Sequence, residues 1–151
     1  MEIKKLFGIE NKVAIVTGGS RGIGEMITSG FLANGVKVYI SARKAPALIE
    51  KAKELSDRYQ QECIPVPSDL STIEGIESFV GSISEKEEGI DFLINNAGAA
   101  WGEPFETFSE QGWDKVMDLN VKSMFFLTQK LKSHLLKRCT LNDPSRVINI
   151  G

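Results

Sequence analysis

One stretch decides the fold: Lys12-Val13-Ala14-Ile15-Val16-Thr17, followed directly by Gly18-Gly19-Ser20-Arg21-Gly22-Ile23-Gly24. The first half is a short β-rich run, and a helical pattern follows from Gly22 to about Asn34. Glycines at a strand-to-helix junction let the backbone turn tightly, approach a phosphate closely and pack the helix against the sheet. The amino terminus of the helix then offers free N–H groups to an anion. The stretch predicts a diphosphate-binding turn, and a plain tight turn without a ligand is the alternative.

The rest of the chain repeats this alternation of apolar and helical segments. Strands are predicted at 12–17, 36–41, 64–67, 90–95 and 146–150, and helices at 22–34, at 45–60, from 71 onward and at 109–138. The predicted strands are continuously apolar, which indicates burial on both faces and therefore a parallel sheet between two layers of helices. We expect an α/β fold in which residues 1–151 form a single domain.

Two local signals refine this pattern. Pro65 and Pro67 suit an edge strand, because proline cannot donate a ladder hydrogen bond. Ser71 and Glu74 have the spacing of a capping box at the start of the third helix.

Composition excludes several classes of protein. The 151 residues carry a formal net charge of -2, which is unsuitable for a strongly basic nucleic-acid binder. No apolar run approaches the ~18 residues of a membrane-spanning helix. The two cysteines, Cys63 and Cys139, have no metal-ligand spacing, so we predict no metal site. We expect a cytoplasmic protein without a nucleic-acid or membrane partner.

The end of the second strand bears on the choice of cofactor. Dinucleotide-binding proteins that use NAD usually place an Asp or Glu about 20 residues beyond the glycine turn, where it binds the ribose. This sequence has Ser41-Ala42-Arg43-Lys44 and no acid. Arg43 and Arg21 could both reach a 2′-phosphate, so the sequence favours NADP(H). Two exposed loop arginines without a ligand are the alternative.

Polar residues follow the third and fourth strands. Asp69-Leu70 would lie near the adenine end of a nucleotide, or would simply begin a helix. Asn95 and Asn96 end a buried strand and need hydrogen-bond partners, which are either neighbouring backbone or a ligand.

Asn120 is the most informative single residue. It falls on the apolar stripe of the long helix, where a polar side chain is costly unless it is hydrogen-bonded. A departure of this kind often marks a functional site, and a structural hydrogen bond to another element is the alternative. The other residues on the stripe are Trp113, Val116, Met117, Met124, Leu127, Leu131 and Leu135. Trp113, Phe125 and Phe126 are interpreted as core or interface packing.

Together these motifs resemble the short-chain dehydrogenase/reductase family. The glycine turn at 17–24, Asp69-Leu70, Asn95-Asn96-Ala97-Gly98 and Asn120-Val121 occur in the family's order and approximate spacing. Within the family the chain looks most like the NADPH-dependent 3-oxoacyl-[acyl-carrier-protein] reductases, including the type associated with rhamnolipid synthesis. The resemblance implies a Rossmann-type, doubly wound parallel sheet with the strand order 3-2-1-4-5.

The resemblance also implies a role for each matching residue. The diphosphate would lie on Gly18, Gly22, Ile23 and Gly24, and the 2′-phosphate on Ser20, Arg21 and Arg43. Asp69 and Leu70 would meet the adenine, the segment Asn96, Ala97 and Gly98 would run beside the adenosine ribose, and Asn95 would brace the sheet. Asn120 would be the catalytic asparagine, whose backbone holds a proton-relaying water.

One feature of the family is missing. These enzymes reduce a carbonyl with a tyrosine and with a lysine four residues later, but Tyr39 and Tyr59 are followed at that distance by Arg43 and Cys63. We therefore expect the catalytic serine, tyrosine and lysine, together with further strands and helices, to lie beyond Gly151. The 151-residue chain would then be the inactive, cofactor-binding portion of a ketone reductase that is a homo-tetramer or homo-dimer when whole. A non-catalytic nucleotide-binding fragment is the other hypothesis.

Overall fold

The computed structural model describes residues 7–151. Its centre is a five-stranded, wholly parallel sheet with the strand order β3-β2-β1-β4-β5. The strands are β1 (Val13–Thr17), β2 (Lys37–Ala42), β3 (Cys63–Pro67), β4 (Phe92–Asn95) and β5 (Arg146–Asn149). The predicted α/β class and the strand order are confirmed, and the strand ends differ from the prediction by no more than two residues.

Five α-helices connect and flank the strands. They are α1 (Gly22–Ala33), α2 (Ala45–Tyr59), α3 (Ile73–Ser84), α4 (Glu110–Met117) and α5 (Ser123–Arg138). A π-helical turn, Asp118–Lys122, joins α4 and α5 into one continuous helix, and a 3-10 turn, Phe105–Thr107, precedes it. Within residues 7–151 no helix has the length and the apolar character needed to cross a membrane.

The sheet separates two apolar cores, as expected for a doubly wound fold. Alternate residues of each strand point to opposite faces, so that Ile15 joins the core beneath α3 and α5 whereas Val16 joins the core beneath α1 and α2. All five residues of β1 are buried. Burial on both faces explains the continuously apolar sequence of β1. For β5 the expected burial is wrong, because all four of its residues are exposed in the described part of the chain.

The two local signals have different outcomes. β3 is an edge strand, with only β2 beside it among the described residues, so the interpretation of its prolines is confirmed. The capping box at Ser71 is wrong: α3 begins one residue later, and the Thr72 hydroxyl accepts the capping hydrogen bond from the Gly75 amide at 3.0 Å. Ser71 instead donates its hydroxyl to Asp69 at 2.7 Å.

The amino-terminal edge of the sheet is held by a buried carboxylate. The Oδ2 of Asp91 accepts hydrogen bonds from the Val13 amide at 2.8 Å and from the Arg138 guanidinium at 3.0 Å. These contacts tie β1, β4 and the end of α5 together. The loops that follow the strands lie at the opposite end of the sheet, where the strands have their carboxyl ends.

The strand order fixes where a ligand would lie. Successive connections lead in opposite directions from β1, so a crevice opens between the carboxyl ends of β1 and β4. Thr17 ends β1 and Asn95 ends β4 at this crevice. The glycine turn and the Asn96–Gly98 segment start from these two residues.

Candidate functional site

The glycine turn after β1 is shaped by close backbone contacts. Gly18 and Gly22 have φ angles of 65° and 55°, a region that residues with a Cβ atom rarely adopt. A Cβ atom on Gly24 would lie 2.2 Å from the carbonyl oxygen of Gly18, and one on Gly19 would lie 2.5 Å from the Ile40 side chain. The sequence motif included Gly18, Gly22 and Gly24 but missed the requirement at Gly19, which only the packing of the turn on β2 reveals.

The first turn of α1 is open for an anion. Arg21 is the N-cap residue of α1 and its side chain makes no capping hydrogen bond, so the first backbone N–H groups of the helix keep their donor capacity. By contrast, Thr72 caps α3 and Ser109 caps α4 with their own hydroxyls. No neighbouring heavy atom lies within 4 Å of the position that a Cβ atom would occupy on Gly22. The turn therefore fits a diphosphate, which would occupy these free donors.

A buried threonine joins the glycine turn to the loop after β4. The Thr17 hydroxyl, in a residue only 2% exposed, accepts hydrogen bonds from the amides of Asn96 and Ala97, both at 2.9 Å. In return, the Asn96 side chain donates to the Thr17 carbonyl at 2.9 Å. Asn96 thus has backbone partners within the protein, which was one of the two alternatives that its sequence left open. Sequence reasoning gave Thr17 no such role.

The other asparagine of the pair braces the sheet. The Asn95 amide donates to the Asn149 side chain at 2.8 Å and to the Thr128 hydroxyl at 3.3 Å. It therefore ties β4 to β5 and to α5, and it is 2% exposed.

The residues expected at the adenosine end also lie at the carboxyl edge of the sheet. Arg21 and Arg43 are exposed and follow the adjacent strands β1 and β2, and Ser20 is half-buried in the turn. The Gly18 amide donates to the Ser41 carbonyl at 2.9 Å, which holds the turn against the end of β2. Both arginines are thus available to a phosphate that lies over the end of β2.

Asp69 and Leu70 follow the edge strand β3. Asp69 is exposed, and its Oδ1 accepts from the amide and the hydroxyl of Ser71, which shapes the turn before α3. Leu70 is 3% exposed and its side chain joins the core. The helix-capping alternative for Asp69 is wrong, because Thr72 is the N-cap residue of α3 and Asp69 forms a hydrogen-bonded turn ahead of it.

Asn120 lies in the π-helical turn and faces the loop after β4. Its Oδ1 accepts from the Ala99 amide at 2.8 Å, and its Nδ2 donates to the Ala99 carbonyl at 3.0 Å. Both ends of the side-chain amide are thereby hydrogen-bonded, which removes the cost expected of a polar residue on this face. Wide π-helical turns are frequent at functional sites.

The predicted apolar stripe is buried toward the end of the long helix, half-buried at Val116, Met117 and Met124, and exposed at Trp113. Leu127, Leu131 and Leu135 are buried, whereas Trp113 is 58% exposed and Phe125 is 62% exposed. The core alternative is therefore wrong for Trp113 and Phe125, for which interface packing stays a prediction, whereas Phe126 packs against the core. The π-helical turn has more residues than an α-helical turn, so it rotates Trp113, which precedes it, away from the stripe.

The loop after β4 is also fastened to α4. The Trp101 ring packs on Gly112, where a Cβ atom would lie 2.4 Å from the indole Cδ1 and Nε1. The Lys115 ammonium lies 4.3 Å from the centre of the indole. The Glu103 carboxylate accepts from the Ser109 amide at 2.7 Å, and this bond is the main cause that lowers the pKa of Glu103. The Trp101 Nε1 is buried and makes no hydrogen bond of ordinary geometry. It lies close enough to the Glu103 carboxylate to contribute to the lower pKa of Glu103.

Neither tyrosine of the chain is placed for proton transfer. Tyr39 is 1% exposed and donates its hydroxyl to Glu87 at 2.8 Å. Burial is the main cause that raises the pKa of Tyr39, and the hydrogen bond to Glu87 raises it further. Tyr59 ends α2, away from the crevice between β1 and β4. Among residues 7–151, no group of three or more potential metal ligands comes together.

Comparison with known proteins assigns the family. The family model described as short chain dehydrogenase matches residues 12–151, so this chain belongs to the short-chain dehydrogenase family of oxidoreductases. A rhamnolipids biosynthesis 3-oxoacyl-[acyl-carrier-protein] reductase of Pseudomonas aeruginosa is 42% identical over 145 residues, which cover 96% of this chain and 56% of the relative. A 2-dehydro-3-deoxy-D-gluconate 5-dehydrogenase of Escherichia coli is 33% identical over 150 residues, covering 99% of this chain and 56% of the relative.

Solved structures show the same relationship. The RhlG/NADP active-site complex of Pseudomonas aeruginosa superposes with a TM-score of 0.92 at 42% identity, and the match covers 100% of this chain and 57% of that one. L-sorbose reductase from Gluconobacter frateurii, complexed with NADPH and L-sorbose, gives a TM-score of 0.83 at 31% identity, covering 87% of this chain and 51% of that one. The chain thus spans a little over half the length of the curated relatives that it matches.

Proposed function

We propose that this chain binds NADP(H) and forms the cofactor-binding portion of a ketone reductase that acts on a 3-oxoacyl thioester. The observation that carries the proposal is the open, uncapped first turn of α1 together with two exposed arginines at the ends of β1 and β2. The family membership supports the oxidoreductase class. The cofactor and the substrate are proposals for this chain.

The cofactor preference is argued from charge. The chain has no carboxylate at Ser41-Ala42-Arg43-Lys44, where an acid would bind the ribose hydroxyls of NAD. The guanidinium groups of Arg21 and Arg43 would hold the 2′-phosphate, with Ser20 beside them. A charge-assisted hydrogen bond contributes roughly 1.5–3 kcal/mol, and solvent screens the exposed arginines, so together they would favour NADPH over NADH by about tenfold or more. Relatives solved with NADP or NADPH support the same choice.

The remaining residues would place the cofactor relative to the crevice. The amides of the glycine turn, from Gly18 to Gly24, would bind the diphosphate. Asn96, Ala97 and Gly98 would run beside the adenosine ribose, while Asp69 and Leu70 would meet the adenine. When bound, the nicotinamide would supply a hydride to the ketone. Asn120 would act there through its backbone, because its side chain is fully engaged with Ala99.

The substrate class is inferred from a relative. The rhamnolipids 3-oxoacyl reductase is 42% identical, compared with 33% for the sugar-acid dehydrogenase. The cofactor turn, the Asn95–Gly102 loop and the long helix all belong to the part that is matched. The test is to measure NADPH oxidation by the whole protein that carries this chain, with a 3-oxoacyl thioester and with a sugar-derived ketone in parallel. A higher kcat/KM for the thioester is expected, and a higher value for the sugar ketone would contradict the substrate proposal.

A second function is favoured by the tyrosines. Tyr39 is buried and bonded to Glu87, and neither tyrosine has a lysine four residues later. We infer that residues 1–151 alone bind the cofactor without turnover, as one domain that contains the nucleotide site. Titration of the 151-residue chain with NADPH, followed by an assay for ketone reduction, tests this inference. Measurable turnover would contradict it.

The assembly and location are part of the same proposal. The outward face of the long helix carries exposed apolar side chains, among them Trp113, Val121, Phe125 and Leu136. Such a face is typical of a subunit interface, and we propose a cytoplasmic homo-oligomer, a tetramer or a dimer. Light scattering with size-exclusion chromatography measures the subunit number, and a monomeric whole protein would contradict this assignment. Cell fractionation tests the location, and recovery of the protein outside the cytoplasm would contradict it.

A further inference from the structure

We propose that Trp101 is a positioning residue: by packing on Gly112, it holds the loop after β4 on the long helix and keeps the Ala99 backbone aligned with the Asn120 side chain. This inference rests on the proposed reductase function, because it assigns the loop a task in that reaction. The loop is defined here as residues 98–103.

The first contact of this loop is at Asn120. The two hydrogen bonds between its side-chain amide and the Ala99 backbone, at 2.8 and 3.0 Å, form a closed pair. Gly98 lies against the same side chain, since a Cβ atom there would be 3.4 Å from the Asn120 Oδ1. The position of Ala99 and the orientation of Asn120 therefore depend on each other.

The second contact is at Gly112. The indole of Trp101 occupies the space that any larger residue at position 112 would need, since a Cβ atom would lie 2.4 Å from two ring atoms. Glycine is unfavourable within helices, and Gly112 lies in the first turn of α4. The close approach of the indole explains why a glycine stands at this helical position. Lys115, one turn further on, covers the ring at 4.3 Å, in the range of a cation–π contact.

Hydrogen bonds also join the end of the loop, at Glu103, to the start of α4. The Glu103 carboxylate accepts from the Ser109 amide at 2.7 Å, and the Ser109 hydroxyl accepts from the Gly112 amide at 3.1 Å. Glu103, Ser109 and Gly112 thus form a chain of contacts from the end of the loop to the residue on which Trp101 packs. These hydrogen bonds hold in place the part of α4 on which the indole packs.

The two contacts are coupled by the shortness of the chain between them. Ala99 and Trp101 are two residues apart, so their Cα atoms can separate by at most about 7 Å. Asn120 and Gly112 lie eight residues apart on the continuous helix, which corresponds to about 12 Å of rise. The side chains of Trp101 and Asn120 cover the remaining distance. A displacement of the indole is therefore passed to Ala99 and to the π-helical turn.

The test uses three variants and two matched controls in the whole protein that carries this chain. Trp101→Ala removes the ring, Trp101→Phe keeps part of it, and Gly112→Ala pushes it from its seat. Phe7→Ala is the matched control for the loss of an aromatic ring, because Phe7 is 75% exposed. Gly30→Ala is the matched helix-glycine control, because no heavy atom lies within 4 Å of its Cβ position.

Amide hydrogen exchange is the first readout. In Trp101→Ala and Gly112→Ala the Ala99 amide should exchange about tenfold faster, since its bond to Asn120 opens locally. The Asn96 and Ala97 amides, which are bound by Thr17, should be unchanged. Trp101→Phe should restore much of the protection, and neither control should alter it. Unchanged Ala99 protection in both variants would overturn the proposal.

Kinetics provide the second readout. A tenfold or larger loss of kcat is expected for Trp101→Ala and Gly112→Ala, with the KM for NADPH within about twofold, because a small misplacement at a reaction centre is costly. Faster exchange with an unaltered kcat would overturn the positioning role. If the unsubstituted protein reduces no ketone, the proposed function fails, while the exchange experiment still decides whether Trp101 controls Ala99.

Discussion

The Thr17 hydroxyl joins the two loops at the crevice, and Thr17→Val removes it while keeping the shape of the side chain. Two backbone amides, those of Asn96 and Ala97, would then be left without their acceptor in a buried place. A buried donor without a partner costs about 1–3 kcal/mol. For two donors with some local relaxation, we expect the free energy of unfolding to fall by about 3 kcal/mol. The hydroxyl's own donation to Ile94, at 3.4 Å, is long and adds little.

The matched control is Thr17→Ser, which keeps the hydroxyl and removes one methyl group at a cost of about 1 kcal/mol. Urea-induced unfolding followed by circular dichroism measures both values in parallel. NADPH binding should weaken in the valine variant and not in the serine variant, because Thr17 joins the two loops at the crevice. If Thr17→Val destabilises the protein by no more than Thr17→Ser does, the coupling of the two loops through this hydroxyl is wrong.

Three further predictions concern single residues. Gly24→Ala should weaken NADPH binding at least tenfold, because its Cβ atom would lie 2.2 Å from a backbone carbonyl oxygen of the glycine turn. The control variant Gly30→Ala should bind NADPH normally. Equal affinities of the two variants by calorimetry would contradict the close packing of the turn. Cys63 should resist alkylation at pH 8 while the exposed Cys139 reacts, since burial raises the pKa of Cys63 to about 12; two modified cysteines in the intact mass of the folded protein would contradict this. Glu103 should stabilise the fold above its ordinary pKa of 4.5 and lose that contribution as the pH falls through its lower folded value; a Glu103→Gln variant with an unchanged pH profile of unfolding would contradict this.

The sequence predicts those features that depend on local pattern. The continuously apolar runs, the glycine turn and the prolines of β3 each act over a few residues, and the structure has the sheet, the turn and the edge strand where these signals place them. Asn120 could be singled out because a polar residue on an apolar stripe contradicts the pattern of its own helix.

What the sequence does not reveal depends on contacts between distant residues. Thr17 meets Asn96 across 79 positions, and nothing in a buried strand threonine distinguishes a structural hub from an ordinary core residue. No periodicity in the sequence predicts that Trp101 packs on Gly112. The exposure of Trp113 does not follow from an ideal helical period, because the π-helical turn changes the facing of the residues before it.

We propose that the open turn of α1 and the two arginines form an NADP(H) site. Its most direct test is to titrate the purified protein with NADPH and with NADH in the same buffer, and to repeat both titrations with the Arg21→Ala/Arg43→Ala variant. We expect a Kd for NADPH at least about tenfold below that for NADH, and the loss of this preference in the variant. Equal affinities for the two nucleotides, or a preference for NADPH that survives the loss of both arginines, would contradict it.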